Sequence, residues 1–496
     1  MAELPSAIFN DTSEGWTVSG GNPRDMDVNL SYVDSGFHQV WMMAATVFVF
    51  PIIPGVALFY AGVCRRKSAA TMLWQCMGVL AVTSFQWFFW GYSLAYAGNA
   101  SAFIGTLRNI GLNNIVAEPS GYMPEPLFVL YQLMFAVCTA MIMIGGAFER
   151  CRLLPSMVFT FCWVTIVYCP IACWTWNANG WLFNLPALDF AGGGPVHITS
   201  GCGALAYAMV IGKRTEHDGS KKKFAKYVPH NPSLIFIGTW MIWFGWFGFN
   251  GGSTLNASVR TSYVLVNTHV AAAMGVIGWS MMDYIFYRGR FSIVGACEGC
   301  IAGLVGITPA AGYVPVYFAV LIGFFTAIIV RLCENVNEWL HIDEGMEVFR
   351  LHTIGGIAGA LMTGLFAADW VSLLDGASEA SGWVDHNYIQ FGYQLAEVCA
   401  IVGYAFVVSV ILLYIINYIP GLKFRVPEDH EVKGLDEHLL YEEGMGDLEL
   451  SEILKKAGFL TSIPVNDAVV DGVAPASEGE SAESEIPTKS SEAGAV

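Results

Sequence analysis

The stretch Gly194-Pro-Val-His-Ile-Thr-Ser-Gly-Cys-Gly-Ala-Leu-Ala-Tyr-Ala-Met-Val-Ile-Gly212 is long enough to cross a bilayer as a helix, and His197 is its one charge-bearing candidate. Lys213 and Arg214 follow at once. An ionisable group inside a span is costly and by default marks a transport path or a proton relay. A second stretch, Phe349-Arg-Leu-His352-Thr-Ile-Gly-Gly356, repeats the local order. In each, a bulky aliphatic residue precedes the histidine and a glycine follows four residues later. The match points to an internal duplication with one histidine per half.

Outward from these two stretches the chain reads as an all-α polytopic membrane protein. Hydrophobic residues make up 55% and charged residues 13%, the latter about half the share of soluble domains. Apolar runs of spanning length fall at 37–62, 69–97, 125–148, 153–175, 194–212, 232–252, 259–286, 291–310, 313–333, 346–368 and 389–418. Positive charge collects after alternate runs: Arg65-Arg66-Lys67, Arg150 and Arg152, Lys213 to Lys223, Arg288 and Arg290, then Lys423 and Arg425. Arg108 and Arg260 are the exceptions. The positive-inside rule then sets the N-terminus outside and the C-terminus inside. Eleven transmembrane helices divide into five plus five with one extra helix, and an odd set of five forces the second half to be inverted, a recurrent transporter plan. His197 and His352 occupy equivalent places, in the fifth and tenth spans.

The expected organisation is an extracellular N-terminal segment (1–36), a transmembrane transport domain (37–418), a cytosolic C-terminal region (419–460) and a disordered acidic tail (461–496). Residues 1–34 carry no apolar signal region, so the first span is expected to direct insertion. Asn10 and Asn29 stand in glycosylation sequons on the outer side. From Lys423 onward there are 17 acidic against 6 basic residues, so most of the formal net charge of −17 belongs to the tail. The acidity gives no support to nucleic-acid binding. The cysteines lie almost entirely in apolar runs, which argues against a disulfide framework, and Cys297-x-x-Cys300 has no second pair. Gly295, Gly299 and Gly303 make a flat helix face for close packing. Glu298 on that helix is expected to pair with Arg288 or Arg290, or to face another subunit, and His269 to be structural. Neither metal nor other cofactor is expected.

Four motifs cluster around the histidines: Trp174-Thr-Trp176 with Ala187-Leu-Asp189-Phe-Ala-Gly-Gly-Gly-Pro-Val-His197; Gly245-Trp246-Phe-Gly-Phe249-Asn-Gly-Gly-Ser253; Tyr131-Gln-Leu-Met-Phe135; and Gly303-Leu-Val-Gly-Ile-Thr-Pro309-Ala-Ala-Gly-Tyr313. At these residues the chain resembles the ammonium transporter family (Amt/Mep/Rh), over roughly residues 35–440, and within it the fungal high-affinity permeases. The resemblance implies a plasma-membrane homotrimer with one pore per subunit, serving nitrogen utilisation. It implies a cation site at Trp176 and Ser253 with Tyr131 as a vestibule aromatic, a stacked gate of Phe135 and Phe249, and a twin-histidine pore of His197 and His352. Trp246 would pack against that pore, and Asp189 would hold the outer loop. Asp343, Glu344 and Glu347 stand where bacterial relatives carry Asp. The segment from Arg425 to about Lys456 matches the family's regulatory region, so a tail kinase is an expected partner, with Ser451, Thr461 and Ser462 as candidate phosphosites.

The chemistry supports these roles independently. A tryptophan face attracts ammonium by about 0.5–2 kcal/mol, while full desolvation of such an ion is idealised at about 20 kcal/mol. The pore segments offer no acidic ring. The consistent solution is to split the ion: ammonia crosses the apolar constriction and the proton passes along two imidazoles, each with one donor and one acceptor nitrogen. Three other readings compete. A neutral channel for ammonia or carbon dioxide would move no charge. A nitrogen-status receptor would signal without conduction. A metal enzyme with histidine ligands lacks acidic or cysteine partners at ligand spacing.

Overall fold

The computed structural model describes residues 36–115, 119–120, 123–147, 149–215, 229–376 and 380–441. Among the described residues its regular elements are helices, apart from one antiparallel pair of two-residue strands, Pro119–Ser120 and Met123–Pro124. Among the described residues eight helices are long and apolar enough to cross a membrane: α1 (Gly36–Val63), α2 (Arg66–Tyr96), α3 (Glu125–Ala147), α4 (Leu153–Asn184), α5 (Gly193–Ile211), α6 (Pro232–Thr254), α7 (Val259–Phe286) and α11 (Ile389–Tyr418). Between the last two lie the shorter apolar helices α8 (Ile293–Ile307) and α9 (Val316–Leu332). Then comes α10 (Phe349–Phe366), which bends by 101° into Asp369–Asp375; taken as one span, the pair raises the number to nine. Each of the eleven apolar runs thus holds a helix, but three of those helices are short or broken.

Local chemistry sets several helix starts. Asn231 accepts from the backbone N–H of Ser233 and Leu234 at the head of α6, and Ser258 forms a capping box with Thr261 at the head of α7. Ser292 caps α8 through Gly295. The glycines then let backbones touch. A Cβ on Gly238 would meet the Gly55 carbonyl, so α1 and α6 cross in direct contact, and side chains at Gly275, Gly299 or Gly303 would collide with backbone or Trp279 across the α7–α8 contact. The glycine face read from the sequence is this packing surface. Cys297 and Cys300 are buried on α8 as free thiols.

Glu298 does not reach Arg288 or Arg290, which stand exposed past the end of α7. Its carboxylate bonds Arg350 at 3.0 Å, and Arg350 also holds Glu347 at 2.8 Å and lies over the Trp279 ring. The charge on α8 is therefore neutralised from the head of α10. His269 is exposed on α7, stacked on Trp243 and near-parallel to Phe247.

After α11 the chain returns along one end of the bundle as α12 (Glu428–Lys433) and α13 (Leu435–Leu439). It binds the loops after α1, α3 and α5. Asp436 accepts from Ala70 N, Thr71 N and Thr71 Oγ1, so it caps α2 from a distant part of the chain. Glu431 accepts from Thr215 N and pairs with Arg425. The phosphosite candidates Ser451, Thr461 and Ser462, the lysines 221–223, and Asn10 and Asn29 lie outside the described residues.

Candidate functional site

α5 and α10 cross antiparallel, with Gly193 against Gly356 and Gly201 against Thr353. Each opens with a π-helical turn, Gly193–Ile198 and Phe349–Ile354, and each turn carries a histidine. π-turns leave backbone hydrogen bonds rearranged and often mark functional positions. In both cases a buried carboxylate eight residues ahead of the histidine holds the turn. Asp189 Oδ1 accepts from Gly192 N and Gly193 N at 2.7 and 2.8 Å, and Oδ2 from Gly194 N at 2.6 Å. Gly192 makes this possible with a φ of 114°, a left-handed backbone that side chains disfavour. Glu344 does the same for α10, accepting from Met346 N and Phe349 N, each at 3.1 Å. The crossing brings the two rings together: His197 Nδ1 lies 3.2 Å from His352 Nδ1, with His197 fully buried and His352 at 8% exposure. His197 Nε2 has no hydrogen-bond partner among the described residues.

An aromatic column leads to this pair. Trp176, half-buried near the end of α4, meets Phe135 edge-on at 5.9 Å between centroids. Phe135 stacks on Phe249 at 4.0 Å and 26°. Phe249 faces His197 at 6.4 Å, and Trp246 stacks on His197 at 5.4 Å and 18°. Trp246 is fixed by its indole N–H, donated to Thr308 Oγ1 at 2.9 Å. Trp176 donates to the Asp189 carbonyl at 3.2 Å, which ties the head of the column to the turn that carries His197. Ser253, half-buried at the end of α6, donates to the Phe249 carbonyl at 2.8 Å. Tyr131 is fully buried, behind Phe135; its hydroxyl meets the Phe249 carbonyl at 2.7 Å and Ser253 Oγ at 3.3 Å. It braces Ser253 and the Phe249 backbone, and its full burial keeps it from lining an open vestibule. Beyond His352 a cavity of about 30 Å³, room for a water-sized molecule, is walled by Ile52, Val56, Ile142, Ile242, Ile301 and Met346, among other side chains.

At the tail end of the bundle the charges interlock. Arg214 bonds both Asp343 at 2.7 Å and Glu149 at 3.2 Å, and Arg65 bonds Glu149 at 3.0 Å. Burial raises the Asp343 carboxyl, but the Arg214 guanidinium outweighs it and holds the group down to about 2. Glu344 beside it forms no ion pair among the described residues: burial, then the Glu347 charge, push it up to about 7.

The structure thus brings together all nine pore and site residues singled out in the sequence. Sequence reasoning missed the capping role of Glu344, although its eight-residue spacing to His352 equals that of Asp189 to His197. It also missed Glu397, a fully buried acid on α11.

Known proteins resemble this chain over most of its length. Residues 40–445 match the profile of the Ammonium Transporter Family. The chain is 46% identical to Ammonium transporter 1 of Schizosaccharomyces pombe over 426 residues, covering 85% of this chain and 84% of that protein. It is 45% identical to Ammonium transporter MEP2 of Saccharomyces cerevisiae over 432 residues, covering 86% and 85%. The crystal structure of Candida albicans Mep2 is similar with a TM-score of 0.77 at 49% identity, over 81% of this chain and 88% of that one.

Proposed function

The chain belongs to the ammonium transporter family, and from that premise we propose that it takes up ammonium across the plasma membrane by separating the ion from its proton. It is a multi-pass membrane transporter and not an enzyme. We read it as eleven spans in two inverted sets of five plus one, the N-terminus outside and the C-terminus inside, assembled as a homotrimer. Residues 419–460 form its cytosolic regulatory region, open to a kinase, and a nitrogen-sensing role rests on the same pore.

The observation that carries the mechanism is the column Trp176, Phe135, Phe249, His197, His352 ending in a narrow apolar cavity. At its head, the Trp176 face and the Ser253 hydroxyl recruit the cation. The stacked Phe135 and Phe249 rings close the route to a hydrated ion. No acidic side chain lines the cavity below them, so a bare cation there meets a cost far above what cation–π attraction supplies. Ammonia passes, and the proton takes the imidazoles. With Nδ1 facing Nδ1, one ring donates and the other accepts. A proton received on the free Nε2 of the donating ring moves its Nδ1 proton across, and the second ring releases a proton from its own Nε2. Net charge therefore crosses with each ammonia.

The apolar cavity equally suits a channel for neutral ammonia or carbon dioxide, and one measurement separates the two. Reconstituted protein should give a saturable current on ammonium addition under the first reading; flux without current would establish the second.

A further inference from the structure

α11 stands outside the two sets of five, yet it grips the site. Gln390, Gln394 and Glu397 share one helix face, at spacings of four and three residues. Gln390 Nε2 donates to the Pro186 carbonyl at 2.9 Å. Gln394 pairs with the Leu188 backbone in both directions: Oε1 accepts from Leu188 N at 2.6 Å, and Nε2 donates to Leu188 O at 2.8 Å. The third residue of the comb, Glu397, is fully buried. Its Oε2 accepts from Gln394 Nε2 at 3.2 Å. Its Oε1 has no donor and faces the Asp189 carboxylate: a Cβ built on Gly194 would lie 2.9 Å from Glu397 Oε1 and 3.2 Å from Asp189 Oδ2.

Two carboxylates cannot both stay ionised in contact in an apolar interior. Neither forms an ion pair with a basic side chain among the described residues. Arg260 is the nearby cation, but it pairs with Asp375 and lies over Phe190 and Tyr313. The hydrogen bonds say which acid keeps its charge. Asp189 accepts three backbone N–H bonds and so is the carboxylate. Every oxygen of Glu397 then has a role only if Oε1 carries a proton.

We propose that Glu397 is a neutral carboxylic acid that donates a hydrogen bond to Asp189, and that it is a positioning residue for the ammonium route. The site reading above is its premise. Through Asp189 it holds the carbonyl that receives the Trp176 indole and the turn that carries His197. It sets the distance between the head of the column and the relay without touching what passes.

The test uses the full chain in proteoliposomes. Infrared difference spectra between the wild type and Glu397→Gln, in water and heavy water at neutral pH, should show the C=O band of an un-ionised carboxylic acid lost in the variant. A lost carboxylate signal instead overturns the assignment. Ammonium-evoked current should stay within about twofold of wild type in Glu397→Gln, whose amide keeps a donor towards Asp189. It should fall about tenfold in Glu397→Leu, which leaves Asp189 Oδ2 one donor short. Wild-type current in Glu397→Leu, or equal loss in both variants, overturns the positioning role. The spectrum does not depend on what is transported, so a wild type without ammonium current would sink the functional reading while leaving the acid assignment to be judged on the band.

Discussion

His197 and His352 touch through their Nδ1 atoms, which leaves Nε2 of each ring outside that contact. Replacing either with alanine breaks the only chain of imidazoles in the column. Ammonium-evoked current should drop at least tenfold in each single variant, the usual scale for loss of a positioned proton-transfer group; full electrogenic uptake in both would end the relay. Trp176→Leu removes a cation–π contact of about 0.5–2 kcal/mol. Its half-saturating ammonium concentration should rise between about twofold and thirtyfold, at an unchanged maximal current. The histidines were legible because ionisable groups stand out against apolar sequence, and Trp176 through the resemblance of its motif to a known family. Their partners were not. Glu298 meets Arg350, and Glu397 meets Asp189, across helix crossings that bring together residues far apart in the chain. Nearness in sequence pointed Glu298 to Arg288 and Arg290 instead.

Element positions were readable from hydropathy, since each apolar run holds a helix. Their shapes were not. The 101° turn after Phe366 passes through two alanines, and the π-turns at both histidines share only the carboxylate eight residues ahead, a spacing too sparse to announce a turn. The start of α10 makes a pH prediction. Glu344 binds its proton more tightly in the folded protein, at about 7 against an ordinary 4.5. Its contribution to stability is therefore full below the unfolded value and is lost as pH rises through about 7. Glu344→Gln, a mimic of the protonated acid, should unfold near the wild-type temperature at about pH 5 and above it at about pH 8. Thermal scans in detergent check this, and an equal offset at both pH values would contradict it. The α7–α8 contact makes a second. Gly303→Val forces side-chain atoms onto the Ala271 carbonyl, a strain of about 1–3 kcal/mol or more. The folded fraction on size exclusion should fall sharply; a normal profile would show that the helices separate freely.

Over the whole molecule, the tail is fastened to the bundle through Asp436, which closes the first turn of α2. Asp436→Ala should strip hydrogen-exchange protection from Ala70, Thr71 and α13 together, while the amides around His197 keep theirs. Unchanged exchange at Ala70 and Thr71 would mean that other contacts hold the tail. The two histidine helices carry the same device, a carboxylate eight residues ahead closing a π-turn, and they run in opposite senses. A pore made only of such a pair would look the same from either end. What breaks the likeness is what each carboxylate meets: α11 seats Glu397 against Asp189, while the cluster of Arg214, Asp343 and Glu149 adjoins Glu344. Any difference in how the two ends of this crossing behave then resides in those neighbours, a buried acid at one end and an ion-pair cluster at the other.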